Sequence, residues 1–143
     1  MTPVCVGLTG QANHATIFLR VESASGDDAM KPRSNFWVEQ DGEVVLSQWR
    51  VNLLRAIDQT GSINAAAEKM NVSYHRAWEK LHEMETRLGV TLVETQTGGQ
   101  HGGGARLTPI ARDYMTRFEQ FSSGIDDLVA RHFVESFGPL QSS

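Results

Sequence analysis

Residues 61–85, GSINAAAEKMNVSYHRAWEKLHEME, decide the fold. Ser62 stands where a helix N-cap oxygen is wanted, and Ile63, Ala66, Ala67 and Met70 then make one apolar face through Asn71. Val72 bridges to Ser73, a second N-cap, after which Tyr74, Ala77, Trp78, Leu81, Met84 and Leu88 hold a helical stripe that Gly89 stops. The pattern predicts a short helix of small residues, a tight turn, and a longer helix of about four turns. Alanines on the short helix let it approach its neighbour closely at a sharp crossing.

Working outward, Val51, Leu54 and Ile57 recur at helical spacing, with Gly61 just past the end as a C-cap. Before them, FWVEQ (36–40) and EVVLSQ (43–48) flank Asp41-Gly42, the dipeptide that best supplies the positive φ of a tight hairpin. On the other side, TLVET (91–95) is strand-like, a glycine-rich stretch TGGQHGGG (97–104) follows, and ARLT (105–108) returns as a second strand. Thr108-Pro109 then suits an N-cap and first helical position. Leu107, Ala111, Tyr114, Phe118, Phe121, Ile125, Leu128 and His132 are spaced alternately by four and three, the heptad of a helix that packs along its length on another. Ser122, Ser123 and Gly124 weaken its middle and mark the place for a kink.

Three helices with tight turns followed by a two-stranded hairpin predict a mainly α protein with a small β component: a winged helix-turn-helix with a long C-terminal dimerisation helix. The expected organisation is a loosely ordered segment over 1–34, the winged module with its leading hairpin over 35–108, a linker and dimerisation helix over 109–134, and a tail over 135–143. Thr16–Val21 is apolar enough for a strand without an evident partner, and Met30, just before the pattern becomes regular, is the expected translation start.

In such a module the third helix leads into the DNA major groove with its N-terminal turns. Its outward residues here are Ser73, His75, Arg76, Glu79 and Lys80, with Arg76 suited to bidentate contact with guanine and Lys80 to a phosphate. Tyr74 is placed so that its hydroxyl reaches DNA, while Trp49, Trp78 and the aromatics of the last helix read as core and dimer seam. Ser62 and Asn64 begin the second helix, where free amides favour an anion. At the wing, Thr97, Gly98, Gly99, Gln100, His101, Gly102, Gly103 and Arg106 offer amides, polar side chains and positive charge to a phosphate backbone or minor groove. The plainer alternatives are a solvated amphipathic face for the helix and a merely flexible loop for the wing. Tyr114, Phe118, Phe121, Ile125 and Leu128 are the expected dimer interface.

The 143-residue chain is about one domain's worth, and its 40% hydrophobic and 21% charged residues are ordinary for a soluble globular protein. Its net charge of −4 argues mildly against a nucleic-acid partner. The distribution argues back, because Thr95 to Arg112 contains two arginines, a histidine and no acid. A single cysteine, Cys5, supports neither an internal disulfide nor a multi-cysteine zinc site, and no run approaches a membrane span, so a cytoplasmic protein without membrane, metal or cofactor is expected. Neither a P-loop nor a dinucleotide-binding spacing occurs, and His14, His75, His82, His101 and His132 are scattered away from any nucleophile motif. An enzyme with catalytic residues is therefore not expected. A winged-helix interaction module that docks proteins without touching DNA is the remaining rival, favoured by Glu79, Glu83 and Glu85.

The SY-x-x-AW core (Ser73, Tyr74, Ala77, Trp78) and the GG-x-x-GGGA-x-LT wing (Gly98, Gly99, Gly102 to Ala105, Leu107, Thr108) together resemble the N-terminal DNA-binding domain of the ModE-type molybdate-responsive transcriptional regulators, which are related to the LysR type. Over residues 45–131 the resemblance implies a homodimeric winged helix on an inverted-repeat operator of double-stranded DNA. It also implies that the last helix is the dimer linker. Regulators of this type sense molybdate through a C-terminal pair of oxyanion-binding domains with no counterpart in these 143 residues, so molybdate is not expected as the effector.

Overall fold

The structure is a computed structural model, and it describes residues 30–97 and 104–138. A leading hairpin pairs β1 (Trp37–Gln40) antiparallel with β2 (Glu43–Ser47). Asp41 and Gly42 both have positive φ, 53° and 78°, the backbone of a type I′ turn whose twist matches the strands it joins. The register shifts between Val38 and Glu39, leaving an extra residue on β2. A regular strand alternates its faces, but this bulge lets the adjacent Val45 and Leu46 both be buried.

Helix α1 (Gln48–Thr60) is capped by the Ser47 hydroxyl and ends at Gly61, whose φ of 70° is the left-handed conformation glycine adopts most easily. Helix α2 (Ile63–Lys69) stops earlier than its apolar face suggests. Met70 is its C-cap and Asn71 turns left-handed at φ 56°, so that Asn71 N donates to Glu68 O and Val72 N to Ala67 O. That pair of bonds is a Schellman ending, and it reverses the chain into α3 (Tyr74–Leu88) within a few residues. The wing strands β3 (Val93–Gln96) and β4 (Gly104–Leu107) pair antiparallel, and α4 (Pro109–Phe137) follows from a Thr108 cap. Its 29 residues stay helical through Ser122, Ser123 and Gly124, about 43 Å of helix at 1.5 Å per residue, so these weak helix formers do not break it. The helix also continues three residues past the expected boundary at 134.

The main core joins Leu53, Leu54, Ile57, Ala66, Ala67, Ala77, Leu81, Met84, Leu92 and Ala111, drawing on all three short helices, the wing and the start of α4. Ala66, Ala67 and Ala77 are buried where α2 crosses α3, as a close approach requires. A second cluster of Val45, Leu46, Val51 and Phe118, with Phe36 packed on it, fastens the leading hairpin to α4. Phe118 is therefore not on a dimer seam but 3% exposed inside its own chain, because the hairpin occupies that side of α4. Tyr114, also expected on the seam, is half-buried against both clusters.

Candidate nucleic-acid interface

Helix α3 is held from three sides. Arg50, only 7% exposed, donates through Nη1 to the Lys80 carbonyl at 3.0 Å and through Nη2 to Glu83 Oε2 at 2.7 Å. Arg87 reaches the leading hairpin, donating to Val44 O at 2.8 Å and pairing with Glu43 at 2.8 Å. Glu85 Oε1 accepts the amides of Leu92 and Val93, at 2.8 and 3.1 Å, and so ties the helix to the start of the wing. The wing is tied in turn to the α1–α2 turn, since Ala105 N donates to Gly61 O at 2.7 Å. Burial alone would raise the Glu83 carboxyl, but the hydrogen bonds and charges of Lys80 and Arg50 outweigh it and hold it below its ordinary value.

The face this frame presents is the N-terminal half of α3. Ser73, Tyr74, His75, Arg76 and Glu79 are all exposed there. The Ser73 hydroxyl accepts the Arg76 amide, so its first task is to cap the helix. Trp78, read from sequence as core, is 40% exposed and stacks on His82 with ring centroids 4.1 Å apart. The apolar stripe is narrower than it looked: Ala77, Leu81 and Met84 fill the line that faces α1 and α2, while Tyr74 and Trp78 lie beside it, Tyr74 49% exposed. Two aromatic side chains thus stand on the outer surface of the helix.

The cations divide into two kinds. Lys80 Nζ is bound to Glu83 at 2.7 Å, and Arg106 pairs with Glu94 at 3.1 Å, directly across the wing strands. Their charges are largely compensated within the chain. Arg76 has no carboxylate within ion-pair distance among the described residues; its guanidinium lies over the Trp49 ring, 5.6 Å from the centroid. Trp49 is half-buried against the main core, a placement the sequence reading had right without its consequence for Arg76.

The other expected contacts belong to other elements. Ser62 Oγ accepts the Ala65 amide as the α2 cap, and Asn64 donates to Glu68 at 3.0 Å. Thr97 is exposed at the end of β3. Gly98, Gly99, Gln100, His101, Gly102 and Gly103 lie outside the described residues. On α4, Phe121 is 51% exposed with its ring edge-on to Phe36, and Ile125 and Leu128 are half-exposed farther along. Among the described residues no group of His, Cys, Asp and Glu is arranged to hold a metal, and no helix is long and apolar enough to cross a membrane.

Comparison with known proteins gives this architecture relatives. Residues 50–112 match the bacterial regulatory helix-turn-helix proteins of the lysR family. The chain is 32% identical over 109 residues to the molybdenum transport protein ModE of Azotobacter vinelandii, covering 73% of this chain and 40% of that protein. It is 38% identical over 81 residues to the molybdenum-pterin-binding protein MopB of Rhodobacter capsulatus, covering 57% of this chain and 30% of that one. It thus spans less than half the length of these curated relatives. The crystal structure of a CbnR DBD–DNA complex shares the fold, with a TM-score of 0.51 at 20% identity over 64% of this chain and 99% of that one.

Proposed function

Because the chain carries a helix-turn-helix domain of the LysR type and is a homologue of the ModE and MopB proteins, we propose that it is a sequence-specific DNA-binding transcriptional regulator that acts as a homodimer. Helix α3 enters the major groove N-terminus first, the wing meets flanking backbone or minor groove, and two half-sites of an inverted repeat about 34 Å apart receive the two copies. Acting on chromosomal DNA, it works in the cytoplasm.

The observation that carries this reading is Arg76: an exposed guanidinium on the leading turn of α3, free of carboxylate partners among the described residues and oriented by an aromatic ring. A planar fork in that position suits the paired acceptors of guanine in the major groove. Lys80 and Arg106 supply phosphate contacts by exchanging their carboxylate partners for the DNA backbone. Phe121, Ile125 and Leu128 on the outer half of α4 supply the dimer seam.

Fluorescence anisotropy tests the proposal, with duplexes selected by the protein from a random pool set against random duplex across a salt series. The expected result is preferred binding of one inverted repeat and a steep negative salt slope of about −0.9 per phosphate neutralised. Arg76→Ala should lose about 1–3 kcal/mol on the selected duplex and little on random DNA. Equal losses on both would remove Arg76 from base readout. The internal pairing of Lys80 and Arg106 favours the rival interaction module, and absence of binding at every salt concentration would overturn the regulator and favour that module instead.

A further inference from the structure

The contact between Trp49 and Arg76 joins two different elements, the start of α1 and the start of α3. Its 5.6 Å separation lies within the roughly 6 Å reach of a cation–π contact. Trp49 is packed against the main core, so the fold fixes its ring, whereas Arg76 is exposed and carries a long stem that samples many rotamers when unsupported. The partners of the neighbouring cations do something different. Glu83 and Glu94 compensate the charges of Lys80 and Arg106 and each takes one of their donors. An aromatic face restrains a guanidinium without accepting its in-plane N–H bonds, which stay available to other acceptors.

We propose that Trp49 is a positioning residue that holds the Arg76 guanidinium pre-oriented, with its donors unused, toward the base edges that α3 reads. Specific binding then orders little of the side chain that makes the contact, a gain from preorganisation rather than from a new bond to DNA. Trp49 itself need not touch the duplex. The inference rests on α3 being the recognition helix, and its variants separate the two ideas.

The test measures Trp49→Leu, which keeps apolar bulk but loses the ring, Trp49→Phe, which keeps a ring, Arg76→Gln and the Trp49→Leu/Arg76→Gln double variant. Each 143-residue variant is titrated by anisotropy against the duplex selected by wild type and against random duplex of equal length. Trp49→Leu should weaken selected-duplex binding about two- to fivefold, the range of an exposed cation–π contact, and leave random-duplex binding unchanged. Trp49→Phe should restore most of that loss, and in the Arg76→Gln background Trp49→Leu should cost nothing further. A loss that persists undiminished in that background, or falls equally on random duplex, overturns the inference and leaves α3 as the reading helix. Full discrimination retained by Arg76→Gln overturns both the inference and the readout role of Arg76. Should Trp49→Leu fail to fold, the unbound wild-type protein still decides: the Arg76 δ-methylene protons, next to the guanidinium, should be shifted upfield by the indole ring current in its NMR spectrum, and ordinary shifts overturn the contact.

Discussion

Replacing Phe118 by alanine separates the structure from the heptad that its sequence displays. On the heptad reading Phe118 belongs to the seam between two copies, and its loss should dissociate a dimer while leaving each copy folded. In the structure it is 3% exposed among Val45, Leu46 and Val51, with the Phe36 ring 5.6 Å away. Truncating a buried phenylalanine costs about 3–5 kcal/mol, and because one wall is the leading segment at Phe36, which can partly collapse into the gap, the lower half of that range applies. Against a total stability on the order of 5–15 kcal/mol this is a large fraction. A loss of about 3–4 kcal/mol lowers the melting temperature of a domain this size by roughly 10–20 °C. Circular dichroism melts over a hundredfold range of protein concentration, together with light scattering, distinguish the two. A destabilisation of that size at every concentration is expected. A variant that melts within a couple of degrees of wild type but scatters as a monomer would refute the placement of Phe118 in the chain's own core.

Phe121→Asp should do what Phe118→Ala does not: its side chain is half-exposed on the outer face of α4, so light scattering should show monomers whose melt is much less affected. An unchanged dimer would remove the outer half of α4 as the seam. The folded Glu83 carboxyl sits below its ordinary value, so its ionised form stabilises the fold above the ordinary carboxylate range, and that contribution disappears as pH falls through the folded value. Urea midpoints of wild type and Glu83→Gln should therefore differ at neutral pH and converge under acid; a gap that widens as pH falls would contradict the pairing with Lys80 and Arg50. Gly61→Ala meets nothing within 4 Å but must adopt a φ of 70°, so it should cost about 1 kcal/mol in urea unfolding, and no change would deny the left-handed cap.

The helices were legible because their punctuation is chemical and local. Ser47, Ser62, Ser73 and Thr108 each accept a backbone amide at a helix start, and Gly61, Asn71 and Gly89 each turn left-handed at or just past a helix end. What escaped depends on partners distant in sequence. A heptad records that one face of α4 is apolar, not which surface covers it, and Phe36 with the bulged Val45–Leu46 pair claims the Phe118 position from about 80 residues upstream. Trp78 was misplaced for the opposite reason. An apolar residue next to a buried stripe looks like part of it, and only the packing of α1 and α2 shows how narrow that stripe is. The pairing of Lys80 with Glu83 has a visible signal in its three-residue spacing, whereas Arg50 reaching Lys80 and Glu83 across the fold has none.

These long-range bonds also determine what the module can transmit. Thr108, which starts α4, donates its hydroxyl to Thr91 O and its amide to Leu92 O, and Leu92 N in turn is held by Glu85 of α3. Helices α4 and α3 are therefore two bonds apart through the root of the wing. On the other side, Phe118 of α4 and Val44 beside Val45 of the hairpin connect through Arg87 to the far end of α3. A helix anchored at both its C-terminal end and its flank cannot swing independently of α4 without breaking these part-buried bonds. If the proposed dimer joins through the outer half of α4, the separation and tilt of its two Arg76 side chains follow from how the two α4 helices cross. Substitutions at Phe121, Ile125 or Leu128 should then change the half-site spacing that a selection from random duplexes returns, and an unchanged spacing in a variant that is still dimeric would refute this coupling.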